Sequence, residues 1–155
     1  MLKTSVIIPS LERPALFKNL LDSLLQQTMR PCEVIVINHF FDEKLKVYEN
    51  IVKQHGRVIK IKHIINHSPL LARSYNLGIK ASRGDIILFL DDDVILDHNL
   101  IEEHAKTYIE DPNVCGVQGS IIDIREKGLK PLLWRRLYPW RKPFPELERY
   151  AFAFN

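Results

Sequence analysis

The chain alternates short runs of β-branched and other apolar residues with longer segments whose apolar positions recur at helical spacing, the sequence form of βαβ units on a mostly parallel sheet. Ser5-Val6-Ile7-Ile8 reads as a buried first strand, and Pro14 suits the first turn of a helix that places Leu16, Leu20, Leu21, Leu24 and Leu25 on one face. That helix is predicted to end near Thr28 to Pro31. Val34-Ile35-Val36-Ile37 is a second continuous apolar strand, followed by a helix from about Asp42 to Gln54 that Gly56 terminates. Val58 to Ile65 has strand character, Leu70 to Ala81 helical character, and Arg83-Gly84-Asp85 turns into the strand Ile86 to Leu90. Asp97 or His98 is expected to cap a helix from Leu100 to Glu110, and Asp111-Pro112-Asn113 to form a turn before a strand from Val114 to Ile124. The fold class read from this pattern is α/β: an open, Rossmann-like, mostly parallel sheet flanked by helices.

Length bounds the number of cores, because 155 residues fit one compact domain. With 46% hydrophobic and 26% charged residues the chain is too apolar to remain disordered. Cys32 and Cys115 are the two cysteines and form no CxxC pair, which argues against a disulfide framework or zinc site and fits a reducing, cytoplasmic setting. Neither a signal peptide nor a membrane span is expected, since no apolar run approaches eighteen residues. Residues 125–155 hold eight Lys or Arg against three Glu, so this irregular, basic and aromatic tail is read apart from the α/β domain of residues 1–124. Its segment Trp134 to Lys142 has the mixture of a membrane-interface stretch, which would bring the protein to the cytoplasmic face of a membrane. The other reading is a stretch that packs on a further half of the protein. Nothing in the pattern points to nucleic acid.

The strongest chemical signal is Phe89-Leu90-Asp91-Asp92-Asp93-Val94. Three carboxylates at the carboxyl end of a buried strand repel one another unless a cation or protons compensate them. Mg2+ or Mn2+ suits such a group, because these ions take carboxylate, phosphate and water oxygens. In a parallel sheet, ligands gather just outside the carboxyl ends of the strands, where this cluster lies. The blander reading is a solvated acidic loop that caps the following helix.

Five motifs in order, Ser5 to Ser10, Leu24 to Thr28, Glu33 to Ile37, Ala72 to Ile79 and Ala81 to Asp93, resemble those of the family 2 glycosyltransferases of the GT-A fold. The resemblance spans roughly residues 4–120 and implies a transferase that takes a nucleotide-sugar donor, with a divalent metal, to a saccharide or lipid-linked acceptor. By that resemblance Pro9, Ser10 and Leu11 contact the nucleotide, Arg73 reaches the diphosphate or pairs with a nucleotide-contacting acid, and Asp93 of the DXD motif binds the metal. Asp91 and Asp92 then face the ribose or orient metal-bound water, with Asp91 a second candidate metal ligand. Gly78 and Asn76 are read as structural, with Gly78 permitting close helix-to-strand packing.

One departure concerns the base. Many relatives carry two aspartates and a glycine after the second strand, whereas this chain has Asn38-His39-Phe40-Phe41. Asn38 can still donate and accept hydrogen bonds, and His39 or Phe40 can stack on a base. In such transferases an acceptor hydroxyl attacks the anomeric carbon with inversion, and a carboxylate takes its proton. No residue here is assigned that catalytic role: Glu146 and Glu148 sit in the basic tail, so the chain is read as a donor-binding portion whose acceptor half is missing. The alternative is a non-catalytic nucleotide-sugar-binding or regulatory domain of the same fold. Aspartate-based phosphatases and receiver domains place their key Asp after the first strand, where this chain has Pro9-Ser10. Nucleotidyltransferases and dinucleotide dehydrogenases need a glycine-rich loop there, and Ser10-Leu11-Glu12-Arg13 has no glycine.

Overall fold

A computed structural model describes residues 2–39, 44–68 and 70–119. Its elements run β1 (Thr4–Ser10), α1 (Pro14–Leu25), β2 (Glu33–Asn38), α2 (Lys44–His55), β3 (Ile61–Ile65), α3 (Leu71–Ala81), β4 (Ile86–Phe89) and α4 (Leu100–Glu110). The four strands form one parallel sheet in the order β3-β2-β1-β4. Register puts Ile7 opposite Ile35 on one side and Phe89 on the other, so β1 is central and its carboxyl end adjoins that of β4.

Alternation along the strands sorts side chains to the two faces. Val6, Ile8, Val34, Val36 and Leu88 join Phe17, Leu20, Leu24, Tyr48 and Ile101 in the larger core, which α1, α2 and α4 cover. Ile7, Ile35 and Ile37 face the other way, onto Ile64, Tyr75, Ala81, Ile87 and Phe89, with α3 as the covering helix. The strands read as unbroken apolar runs because both faces are buried. α3 approaches β1 closely because residue 78 is glycine: a Cβ there would stand 2.5 Å from Ile7 Cγ2. The packing role expected of Gly78 is therefore observed.

Several boundaries differ from the sequence reading. β3 begins at Ile61, not Val58, because the amides of Val58 and Ile59 both donate to the His55 carbonyl and the chain is still turning. Gly56 does end α2, but without left-handed backbone; a Cβ there would meet the Val52 carbonyl oxygen at 2.9 Å, so the glycine is needed for space. The N-cap of α4 is Asn99 and not Asp97 or His98, and no side chain closes the cap. The turn at Asp111 forms, with Asp111 Oδ1 accepting the Asn113 amide at 2.9 Å, yet residues 114–119 do not join a strand. The rest of that expected strand, Phe40, the start of α2 at Asp42, the boundary at residue 124 and the basic tail lie outside the described residues.

Candidate functional site

Strand order places a topological switch beside β1. From β1 the chain winds outward to β2 and β3, then returns to pair β4 on the other edge of β1. Parallel sheets bind ligands in the crevice outside the carboxyl ends of the strands at such a point. The two segments arriving there are Ser10-Leu11-Glu12-Arg13 after β1 and Asp91-Asp92-Asp93 after β4.

The three aspartates are not equivalent. Asp91 and Asp93 are exposed, whereas Asp92 is only 1% exposed. Asp92 Oδ2 accepts hydrogen bonds from Ser10 Oγ at 2.5 Å and the Leu11 amide at 3.2 Å, and its Oδ1 is met by Arg13 Nη2 at 2.6 Å. Behind this contact lies Tyr48 of α2, whose hydroxyl accepts the Arg13 amide at 3.0 Å and lies 2.9 Å from Ser10 Oγ. Because Ser10 has one hydroxyl proton and gives it to Asp92, the Tyr48 hydroxyl must donate to Ser10. The order of donation is thus Arg13 N–H to Tyr48, Tyr48 to Ser10, and Ser10 to Asp92, a chain whose bonds polarise one another. Burial, with a smaller contribution from the Asp92 charge, pushes the Tyr48 hydroxyl above its ordinary pKa against the lowering effect of its hydrogen bonds, which keeps it a donor. Its ring stacks on Phe17, with centroids 5.1 Å apart, tying this polar chain to the core.

The loop carries one backbone peculiarity. Glu12 has φ of 58°, a left-handed conformation that a non-glycine residue adopts only when its surroundings impose it. The bonds on either side, Leu11 to Asp92 and Arg13 to Tyr48, supply that constraint and turn Arg13 toward the acidic cluster, where its Nη1 meets Asp93 Oδ2 at 2.5 Å. Neither Arg13 nor Tyr48 was among the residues expected from sequence. An arginine in the first loop of a chain with a triple aspartate after a later strand is the signal that could have found it.

Pro9 is half-buried in β1, Ser10 is buried under the loop, and Leu11 is exposed at the crevice. Asn38 is fully buried: its Nδ2 donates to the Ser10 carbonyl at 3.1 Å, and its Oδ1 accepts from His63 Nε2 at 2.5 Å. It braces the end of β1 and does not present its side chain to the crevice. His39 is half-buried, and its Nδ1 donates to the Asn66 carbonyl at 2.7 Å, which fixes the proton of the neutral ring on Nδ1. Asn66, itself buried, accepts the Ser68 amide and donates to Ser74 Oγ, so the ends of β2 and β3 are joined to the first turns of α3. Arg73 is exposed in that helix. Two residues on, Tyr75 packs edge-on to Phe89 at 4.9 Å, and burial, followed by the charge of Asp91, raises its hydroxyl pKa. The structure therefore brings Ser10, Leu11, Asp91, Asp92 and Asp93 together at the switch point and leaves Asn38 behind them.

Among the described residues no three His, Cys, Asp or Glu side chains converge to form a closed metal cage. Asp91 and Asp93 are both exposed, and solvent-facing carboxylates are the ligand type that Mg2+ or Mn2+ takes when phosphate and water supply the remaining oxygens. A cationic group already meets this cluster, because the Arg13 guanidinium bridges Asp92 and Asp93.

Solved glycosyltransferases of the GT-A fold share this open parallel sheet with flanking helices. S. aureus TarS 1–349 in complex with UDP-GlcNAc superposes with a TM-score of 0.66 at 22% identity, covering 81% of this chain and 36% of that one. The mannosyltransferase PcManGT from Pyrobaculum calidifontis, in complex with GDP-Man and Mn2+, gives 0.66 at 19% identity, covering 81% and 37%. The chain belongs to glycosyl transferase family 2, whose family model matches residues 5–153. An uncharacterized glycosyltransferase of Rickettsia bellii is 38% identical over 126 residues, which is 81% of this chain and 18% of that protein. The chain thus spans less than a fifth of this relative and little more than a third of each solved chain.

Proposed function

We propose that the chain is the donor-binding portion of a glycosyltransferase that takes a nucleotide-diphosphate sugar, with Mn2+ or Mg2+, and passes the sugar to an acceptor hydroxyl with inversion. The observation that carries this reading is the meeting of the Ser10–Arg13 loop with the Asp91–Asp93 cluster at the β1/β4 switch point. Support also comes from the donors in the two neighbours' crystals, UDP-GlcNAc with TarS and GDP-Man with Mn2+ in the mannosyltransferase.

In this reading Asp93 and Asp91 hold the metal, which when bound would neutralise charge on the leaving diphosphate. Asp92 acts from beneath by locking Ser10 and Leu11, so that Pro9 and Leu11 line a rigid nucleotide cleft. Arg73, exposed at the start of α3, is a second guanidinium that we assign to the diphosphate. His39 takes the place of the missing base-reading carboxylate, with its ring fixed by Asn66. The acceptor oxygen forms the new bond to the anomeric carbon, the bond from that carbon to the diphosphate breaks, and a carboxylate of the acceptor half takes the hydroxyl proton. In this reading residues 1–124 belong to the donor half; for the basic tail 125–155 we favour packing on another part of the enzyme over contact with a membrane surface.

Calorimetric titration of the chain with a panel of nucleoside diphosphates, each with and without Mn2+, tests the reading. Manganese-dependent binding of one nucleotide is expected; no binding of any of them, with or without metal, contradicts it.

A further inference from the structure

Arg13 already occupies the position of a counter-ion in the acidic cluster, and the two halves of its grip differ in kind. Its contact to Asp92 is on the buried side, where the carboxylate is 1% exposed; its contact to Asp93 is on the open side, where Asp93 is 40% exposed and Arg13 itself 48%. The backbone at its root is fixed by the Leu11 and Arg13 amide bonds and by the left-handed Glu12, so only the outer side chain is free to turn. Asp93 is also the carboxylate to which the proposed function gives the metal. Arg13 takes Asp93 Oδ2, and its positive charge there opposes a divalent ion on the same carboxylate.

We propose that Arg13 is a resident counter-ion that holds Asp93 until metal and nucleotide arrive, then turns off Asp93, keeps its hold on Asp92, and takes the diphosphate. This rests on the reading of the site as a metal-dependent donor site. The exposed half of the grip is the exchangeable half, because an ion pair open to water contributes little. A guanidinium presents planar paired donors that suit two phosphate oxygens as well as two carboxylate oxygens. Binding is then coupled: metal alone leaves the outer end of Arg13 to water, whereas a diphosphate receives it. Metal and nucleotide each strengthen the other by the same factor, as linkage requires. Arg13 is in this sense a binding residue that couples metal to nucleotide.

The test measures the affinity of the 155-residue chain for Mn2+ by electron paramagnetic resonance, with Mn2+ alone, with UDP and with GDP. Arg13→Met removes the counter-ion. The double variant Arg13→Met/Asp92→Asn removes it without leaving a buried charge unpaired, and decides the matter if the single variant does not fold. For Mn2+ alone, both variants are expected to bind about threefold tighter than wild type, the size that loss of an exposed ion pair supports. Nucleotide in the presence of Mn2+ is expected to bind about tenfold weaker, through loss of a charge-assisted contact. The strengthening of Mn2+ binding by nucleotide then falls by about the same tenfold, while the part that comes from phosphate oxygens on the metal remains. A merely structural Arg13 would lower the melting temperature and leave that strengthening intact. Mn2+-alone affinity equal to or weaker than wild type in both variants overturns the proposal. If nucleotide-dependent Mn2+ binding is present in wild type and lost in Asp93→Asn, such a result sinks the Arg13 role alone. If wild type binds no Mn2+ under any condition, the donor-site reading fails and the Arg13 role with it.

Discussion

Asp92→Ala should damage the fold, whereas Asp93→Ala should not, although the two residues are neighbours in one acidic motif. The Asp92 carboxylate accepts from the buried Ser10 hydroxyl and the Leu11 amide and faces Arg13. Its loss leaves Ser10, 5% exposed, without its acceptor, a cost of about 1–3 kcal/mol for a buried donor. The Leu11 amide and the half-exposed Arg13 can turn to water, so each adds no more than about 0.5–1 kcal/mol. Together these give about 3 kcal/mol, which for a domain of this size lowers the melting temperature by about 10 °C. Among the described residues Asp93 pairs with the exposed end of Arg13 alone, and its loss should cost under about 1 kcal/mol. Thermal unfolding followed by circular dichroism compares the two. Equal melting temperatures for Asp92→Ala and wild type would refute the assignment of Asp92 as the clamp between the two loops.

Three further outcomes follow from the same geometry. Tyr48→Phe breaks the donor chain at its centre and should destabilise by about 1–2 kcal/mol in chemical denaturation, with weakened nucleotide binding because the Arg13 amide and Ser10 lose their shared partner. Gly78→Ala places a methyl 2.5 Å from Ile7 Cγ2 and should cost about 1–3 kcal/mol by the same assay. His104, 1% exposed in α4, is held down to a pKa of about 4 by burial, so the neutral ring stabilises the fold fully above its unfolded value of 6.5. That stability is lost as pH falls from 6.5 through 4, approaching about 3 kcal/mol, and His104→Leu should flatten this part of the stability profile.

How much of this was readable in the sequence depended on whether a feature was local. β1, β2 and β4 stood out because burial on both faces leaves unbroken apolar runs such as Val34 to Ile37. The acidic cluster was legible because its end-of-strand position follows from the pattern alone. Val58 misled because a β-branched residue in a turn looks like a strand start, and its 52% exposure is a product of the turn at His55. The separate role of Asp92 could not be read, since the three aspartates differ only in what surrounds them. Ser10 lies 82 residues from Asp92, and Tyr48 lies 38 from Ser10. Asn38 looked like a base contact because it ends β2; the carbonyl of Ser10 and the ring of His63 claim its side chain only once three strands are adjacent. Arg13 differs: its partners lie 79 and 80 positions away, and what the sequence offers is a lone arginine in the first loop beside a later triple aspartate, with the pairing itself set by the fold.

The central claim is that metal and nucleotide bind together at the β1/β4 switch point, and paramagnetic broadening tests it most directly. An NMR spectrum of the 15N-labelled chain with a nucleoside diphosphate, recorded with Mg2+ and then with substoichiometric Mn2+, should lose the amide signals of Ser10 to Arg13 and Asp91 to Val94 first. The same addition to Asp93→Asn should leave them sharp. Broadening centred elsewhere, such as on Lys3 and Asp85 at the opposite end of the sheet, or unchanged broadening in Asp93→Asn, would contradict the account.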